Sequence, residues 1–457
     1  MTEVAAKQKK KLVHRGIVRA VKILDLLLMT VPVILCWYLY YAQRIASPFY
    51  RLGNYLVIAL FLAMYYMIAH LYNGFQLHIS RISELVYSQT MAALISDFLL
   101  YIVIWLLKKH LPNPLPLLAA LAGQFILAGF WSAFAHKWYF HRYKPLTTAV
   151  IWNEREGLDN LISQYGLDIR YDVQKSMQAE DALDNLESLN EMHTVFLVDV
   201  PSHERNIIVK YCIAKGIDTM VIPRIGDVIM SSAQRAHLLH LPTLHVGRYD
   251  PTPEYAVVKR FLDIVLSLVA LVIMAPWMLI TAIAIKAYDG GPVFFKQDRL
   301  TKDGKVFKVI KFRSMRVDAE KDGVARLSSG ENDPRITPVG RLIRKVRMDE
   351  WPQLFNIIKG DMSIVGPRPE RPEIAAQYEE ELPEFALRLQ VKGGLTGYAQ
   401  VYGQYNTTPY NKLLMDLMYI AHPSIAEDIK IVFATVKILF MPESTEGVEE
   451  GQITADK

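Results

Sequence analysis

Four long apolar runs occupy the first third of this 457-residue sequence: Val21–Tyr41, Leu56–Tyr72, Ala92–Leu107 and Leu115–Ala135. A helix rises about 1.5 Å per residue, so roughly 17–25 apolar residues cross a bilayer. The pattern predicts four membrane-spanning helices within residues 1–144, the second and third near the short limit. A secretory signal fits poorly, because the first run lacks a small-residue cleavage site and further runs follow. Lys and Arg collect on the cytoplasmic side of membrane helices. The N-terminus carries Lys7, Lys9, Lys10, Lys11, Arg15 and Arg19, and Lys137, Arg142 and Lys144 follow the fourth run. Four spans return the chain to its starting side, so both basic flanks face the cytosol. Asp97 and Gln124 fall inside spans. Helix–helix contact is the plain reading of both, and a functional role is the default for a buried intramembrane acid.

Hydrophobic residues make up 52% of the chain and charged residues 21%. That excludes a wholly disordered or fibrous protein. The only cysteines, Cys36 and Cys212, lie in segments of different character, against a disulfide scaffold or a Cys-based zinc site. The histidines, including His237, His240 and His245, show no metal-ligand clustering.

Residues 145–250 alternate short apolar stretches (Thr148–Trp152, Thr194–Val200 and Thr219–Pro223) with helical segments, the signature of a parallel α/β domain. A dinucleotide fingerprint needs glycines after the first strand, where the backbone approaches a pyrophosphate. The loop Asn153–Gly157 lacks that glycine pattern. Tyr211 and Lys215 have the spacing of a dehydrogenase pair, but that spacing is common by chance. The reading is a degenerate Rossmann-like domain without dinucleotide.

A fifth apolar segment, Ile264–Ile285, is long enough to span, yet both its flanks are basic: Lys259 and Arg260 before it, Lys286, Lys296 and Arg299 after it. A span would put one basic cluster on the outer face. Pro276 removes a backbone donor and kinks the helix. The sequence thus predicts a re-entrant helix over about 261–286, with a true fifth span as the alternative. Eight Lys/Arg then lie between Lys296 and Arg316, and Arg335, Arg341, Arg344, Lys345 and Arg347 follow. Beside an apolar anchor, such clusters suit anionic headgroups or phosphate-rich substrates. Nucleic acid fits less well, because no stacking aromatics are interleaved.

The stretch Arg341–Asn356 contains Asp349-Glu350-Trp351-Pro352, and Gly360-Asp361-Met362-Ser363 and Gly366-Pro367-Arg368-Pro369-Glu370 follow. Proline favours a first helical turn, so a short helix is expected near Pro352 with Asp349 and Glu350 at its positive end. Alone, such a pair is a helix cap. Arg344 and Arg347 upstream, the second acid Asp361 and the Gly-Pro-Arg-Pro arm point instead to a phosphate-handling site.

From about Lys259 to Phe440 the chain resembles the bacterial sugar transferases, the monotopic polyprenyl-phosphate hexose-1-phosphate transferases. The resemblance rests on Lys259-Arg260-x-x-Asp263, Gly291-Pro292-Val293-x-Phe295-x-Gln297-x-Arg299, Lys311-Phe312-Arg313-Ser314-Met315, Asp349-Glu350, Gly360-Asp361-Met362-Ser363, Gly366-Pro367-Arg368-Pro369 and Gly394-Leu395-Thr396-Gly397. Four spans and a Rossmann-like domain ahead of these motifs resemble the long form of the family, which initiates exopolysaccharide or capsule synthesis.

The resemblance implies transfer of a sugar-1-phosphate from a UDP-sugar to undecaprenyl phosphate, with release of UMP. Asp349 takes the place of the family nucleophile, which carries the phosphosugar covalently, and Glu350 that of its Mg²⁺-holding neighbour. Arg344, Lys311, Arg313 and Gln297 become substrate-binding candidates, and Arg368 matches the nucleotide-side arginine. Asp361 is either a second Mg²⁺ contact or a cap. Glucose or galactose is the sugar expected by analogy. The sequence departs from the family at Ala275 (usually Ser), Trp351 (usually Leu), Gly393 (usually Pro) and Tyr402 (commonly Asn); the last three bear on sugar identity.

The expected fold is a membrane protein combining α and α/β parts. It comprises a four-helix transmembrane domain (1–144), a Rossmann-like cytosolic domain (145–250) and a mainly helical catalytic domain anchored by the re-entrant helix (251–442). A polar tail, Glu443–Lys457, is expected to be disordered. Ile425, Ile429, Val432, Phe433, Val436, Leu439 and Phe440 form an amphipathic stripe, with Asp428 elsewhere on the wheel. That helix lies on the bilayer or packs on the re-entrant helix. The expected location is the bacterial cytoplasmic membrane with the catalytic domain on the cytosolic face, and a homodimer is the default assembly. Two rivals stand beside this reading: a membrane-bound nucleotide-sugar dehydratase, which needs the missing glycine loop, and a non-enzymatic scaffold for polysaccharide export.

Overall fold

The computed structural model describes residues 2–77, 80–153, 158, 162, 167–238, 240–317, 319, 333, 335–403 and 408–439. The loop 154–157, Phe440 and the tail from Glu443 lie outside the described residues. The chain divides into two compact units, Met1–Pro223 and Arg224–Lys457.

In the first unit, α1 (Thr2–Cys36) runs into a π turn at Trp37–Tyr41 and is followed by α2 (Leu52–Leu71), α3 (Ile82–Lys108) and α4 (Leu115–Arg142). All four are long and apolar enough to cross a bilayer. α3 begins at Ile82, earlier than the apolar run suggests; its first turn is exposed, and Ser88 and Gln89, about two turns in, are buried in the bundle. There Gln89 Nε2 donates to Asp25 Oδ1 at 3.1 Å and to the Gly74 carbonyl at 3.2 Å, and Ser132 Oγ donates to Gln89 Oε1 at 3.3 Å. Asp97 and Gln124 are buried in the same bundle. Gln124 Nε2 donates to the Met29 carbonyl at 3.0 Å, a helix–helix contact between α4 and α1.

Next come β1 (Leu146–Trp152), β2 (Tyr171–Gln178), α5 (Ala179–Asp184), β3 (Thr194–Val198), α6 (Ser202–Lys215) and β4 (Asp218–Ile222). The strands pair in parallel in the order β2-β1-β3-β4, so the expected parallel α/β domain is present, with the flavodoxin-like doubly wound strand order in place of the 3-2-1 order of a Rossmann half. Ala149, Ile151, Val195, Leu197, Ile208 and Cys212 form its core. β2 escaped the apolar reading because it is an edge strand that alternates buried and exposed positions over Tyr-Asp-Val-Gln-Lys-Ser-Met-Gln.

The second unit opens with α7 (Ile225–Ser231) and the antiparallel hairpin β5 (Gln234–Leu238)–β6 (Leu241–His245). Val228 of α7 packs with Val365, Ile374, Phe385, Leu413 and Leu417, so the unit starts at Arg224. The sequence reading placed this boundary at 250. The long helix α8 (Pro253–Asp289) follows, then the antiparallel hairpin β7 (Phe294–Leu300)–β8 (Val306–Phe312), α9 (Pro338–Lys345) and α10 (Gln353–Lys359). After these come β9 (Ser363–Val365), α11 (Pro372–Glu381), β10 (Gly394–Thr396), α12 (Tyr398–Tyr402), α13 (Pro409–Ala421) and α14 (Ile425–Leu439), with β9 and β10 paired in parallel.

α8 continues through Pro276 and is gripped along its length by this one unit. Near its start, the Arg260 guanidinium donates to the Ile357 and Ile358 carbonyls at 2.6 and 2.7 Å. Asp263 Oδ1 accepts from Ser363 Oγ at 3.1 Å and from the Ile364 amide at 3.0 Å. In the middle, Ala270, Leu271 and Met274 pack on Phe307, Leu354 and Ile357. At its end, Ile285 packs with Phe312 and Ile343, and Asp289 pairs with Arg313. The opposite face leaves Phe261, Val272, Ile273, Trp277, Ile280 and Ile283 exposed.

α14 is turned differently from the expected stripe. Asp428 and Ile431 face inward, and Ile429 and Val436 face out. Burial of the acid is compensated by Lys259 Nζ at 2.8 Å, Tyr255 Oη at 3.1 Å and Tyr419 Oη at 2.7 Å. Of the two placements open from sequence, this contact fastens α14 to the start of α8.

Candidate active site

The candidate residues converge from the end of β8, the turn after α9 and the arm after β9. α9 begins with a cap in which the Gly340 amide donates to Thr337 Oγ1 at 2.9 Å. Gly340 is required there, because a Cβ would stand 1.9 Å from the Ser314 carbonyl oxygen. After α9, Arg347 adopts a left-handed conformation (φ 53°), which turns the chain into one 3-10 turn, Met348–Glu350. That strain is of order 1–3 kcal/mol, and such strain gathers at functional sites. α10 follows, so Asp349 and Glu350 stand before its positive end. Asn356 fastens α10 to β8: its Nδ2 donates to the Lys308 carbonyl at 2.8 Å and its Oδ1 accepts from the Ile310 amide at 3.0 Å. Lys311, the next residue along β8, is thereby presented to Glu350.

Glu350 Oε1 accepts from Lys311 Nζ at 2.8 Å and from Arg368 Nη2 at 3.1 Å. Burial alone would raise the Glu350 carboxyl, but these two cations outweigh it and hold the group well below the usual carboxylate range. Asp349 behaves oppositely. Burial and the charge of Glu350 push its carboxyl up, against the pull of Lys311, Arg344 and Arg368. Burial lowers the Lys311 ammonium, and Glu350 opposes that. Arg344 Nη1 is buried without a hydrogen-bond partner among the described residues. An unsatisfied guanidinium N–H beside an acid pair is a ready donor to a phosphate oxygen.

Asp349, Glu350, Lys311, Arg344 and Arg368 are thus brought together, and three other candidates are placed elsewhere. Arg313 is buried in a two-pronged ion pair with Asp289. It locks the end of α8 to the end of β8. We expect Asp289→Ala to lower Tm while leaving KM for the donor within about twofold, as a contact outside the substrate site should; thermal melts and steady-state kinetics check this. Gln297 Oε1 accepts from Arg299 Nη2 at 2.7 Å, so it supports a neighbour of the arm. Asp361 pairs with Lys359 at 3.0 Å. Among the described residues, no group of three or more His, Cys, Asp or Glu is arranged to hold a metal. Two adjacent carboxylates still suit Mg²⁺, which uses one or two carboxylates together with substrate phosphates.

Sequence reasoning assigned no role to Asn356, Asp289, Arg388 or Asp416. A polar residue inside a short apolar helix was the available signal for Asn356. The partners of the others are distant in the chain, and nothing local marks them.

An acid pair ringed by cations, on a unit built around an exposed apolar helix, is an arrangement suited to handling phosphates beside a membrane. The chain belongs to the bacterial sugar transferase family, whose profile matches residues 254–442. It is 39% identical over 208 residues to the UDP-N-acetylgalactosamine-undecaprenyl-phosphate N-acetylgalactosaminephosphotransferase of Aeromonas hydrophila, covering 45% of this chain and 49% of that protein. It is 43% identical over 189 residues to the exopolysaccharide production protein PSS of Rhizobium leguminosarum bv. phaseoli, covering 39% of this chain and 94% of the relative. It is 43% identical over 183 residues to the UDP-glucose:undecaprenyl-phosphate glucose-1-phosphate transferase of Escherichia coli (strain K12), covering 39% of each. The match thus spans about half the length of the Aeromonas relative and nearly all of the Rhizobium one.

Proposed function

We propose that this chain transfers a hexose-1-phosphate from a UDP-sugar to undecaprenyl phosphate, the first membrane step of exopolysaccharide or capsule synthesis. The carrying observation is Asp349, beside a Glu350 held ionised by Lys311 and Arg368, with Arg344 at hand. A carboxylate oxygen of Asp349 attacks the phosphorus that bears the sugar. The bond from that phosphorus to the bridging oxygen breaks, and UMP leaves with the electron pair. An oxygen of the lipid phosphate then attacks the same phosphorus and frees Asp349. An ionised carboxylate needs no separate base, and two successive displacements let two anionic substrates use one site in turn.

Lys311, Arg344 and Arg368 provide fixed positive charge where the transferred phosphoryl group gathers negative charge. Glu350, with Asp349, would hold Mg²⁺; when bound, the ion neutralises diphosphate charge. Under this reading α8 enters and leaves the bilayer on one face. Arg260 and Asp263 near one end and Asp289 at the other bind the same unit, although 37 helical residues reach about 55 Å. The enzyme then sits in the cytoplasmic membrane with its site on the cytosolic side.

Names among the relatives carry both glucose and N-acetylgalactosamine, and glucose or galactose remains our choice of sugar. The test is UMP release by purified protein across a panel of UDP-sugars with and without undecaprenyl phosphate. We expect one or two donors to support release, EDTA to abolish it and Mg²⁺ to restore it. No release with any donor would overturn the reading.

A further inference from the structure

The arm Pro367–Glu370 is held by its carbonyls. The Pro367 carbonyl accepts from the Gly394 amide at 2.9 Å and the Glu370 carbonyl from the Leu300 amide at 2.9 Å. Between them, the Arg368 carbonyl accepts from Arg388 Nη2 at 3.0 Å and the Pro369 carbonyl from Arg299 Nη1 at 3.0 Å. Prolines at 367 and 369 lack N–H groups, so the arm is fastened through its acceptors, two of them bound to arginine side chains.

Arg388 is 4% exposed and its partner Asp416, on α13, is 1% exposed. Arg388 Nε donates to Asp416 Oδ2 at 2.9 Å, its Nη2 stands 2.7 Å from the same oxygen, and its Nη1 stands 3.6 Å from Glu370 Oε1. One planar fork therefore meets a buried acid, a second acid and the Arg368 carbonyl. The Arg368 side chain, 41% exposed, reaches the other way to Glu350 Oε1 at 3.1 Å. A flexible, partly exposed side chain gains order when its own backbone is fixed.

We infer that Arg388 and Asp416 are positioning residues: their buried pair fixes the Arg368 backbone so that its guanidinium meets Glu350 and the donor phosphates. This rests on the transferase reading. Lysine at 388 would keep the charge opposite Asp416 but could not serve the acid and the carbonyl with one rigid fork.

The test is a double-mutant cycle on kcat/KM for the donor, using Arg388→Lys, Arg368→Ala and both, with Tm measured for each. Coupled residues act non-additively, and a general structural defect multiplies through both backgrounds. We expect Arg388→Lys to lower kcat/KM about tenfold in the native background and by less than about twofold beside Arg368→Ala. Equal factors in both backgrounds, or no loss in either, overturn the inference. If Arg388→Lys does not fold, Asp416→Asn takes its place in the cycle. Hydrogen exchange of residues 366–371 gives a readout without turnover, and faster exchange in Arg388→Lys is expected. Unchanged exchange overturns the inference, whereas a native protein releasing no UMP overturns the transferase reading alone.

Discussion

Asp349→Asn lowers donor-dependent UMP release by at least about 10³-fold, the scale of losing a covalent nucleophile. An amide carries no ionised oxygen to attack phosphorus, while its size and burial are nearly the same, so folding should survive. Thermal melts of the variant separate lost chemistry from lost structure. The same residue sets the pH dependence. Only the ionised carboxylate attacks, and burial with the Glu350 charge raises Asp349 above the ordinary carboxylate value. The rate therefore falls as pH drops through that raised pKa, and the acid limb lies above about 3.9, the usual Asp value. A rate profile for single-turnover UMP release measures the limb directly.

Lys311→Met is expected to damage both stability and turnover. Lys311 and Glu350 are 19% and 14% exposed at the side chain and stand 2.8 Å apart. Removing the ammonium leaves Glu350 with Arg368 as its direct cationic partner, the more exposed of the two. Breaking such a pair from one side destabilises by about 3 kcal/mol, because an under-compensated charge stays buried. Loss of a fixed cation beside the reacting phosphate lowers turnover by a further factor of about 10². Adding Glu350→Gln should recover much of the stability and none of the activity. A Tm unchanged in Lys311→Met would mean that Arg368 alone holds the acid.

Much of this was legible in the chain, for identifiable reasons. Membrane helices announce themselves by apolar length, and Asp349-Glu350 stood out through the proline after it and the arginines before it. The ion pair of Arg313 was hidden because charge and motif say nothing of partner: Asp289, 24 residues earlier, holds it. Asp428 was set apart from the apolar stripe because hydropathy treats an acid as solvent-seeking, whereas Lys259 and Tyr255 of α8 and Tyr419 of α13 compensate it. β2 and the start of α3 were hidden because their polar residues interrupt the apolar runs by which the elements were found. The clamp on the Arg368 arm joins residues from four separate segments, and no local pattern could reveal it.

One measurement bears most directly on the whole account. Purified enzyme is mixed with UDP-sugar in the absence of lipid phosphate, quenched rapidly, digested and mapped by mass spectrometry. A hexose-phosphate adduct on the peptide containing Asp349, lost on addition of undecaprenyl phosphate, is the predicted result. An adduct on any other residue, or none at the shortest quench while UMP is released, would contradict it.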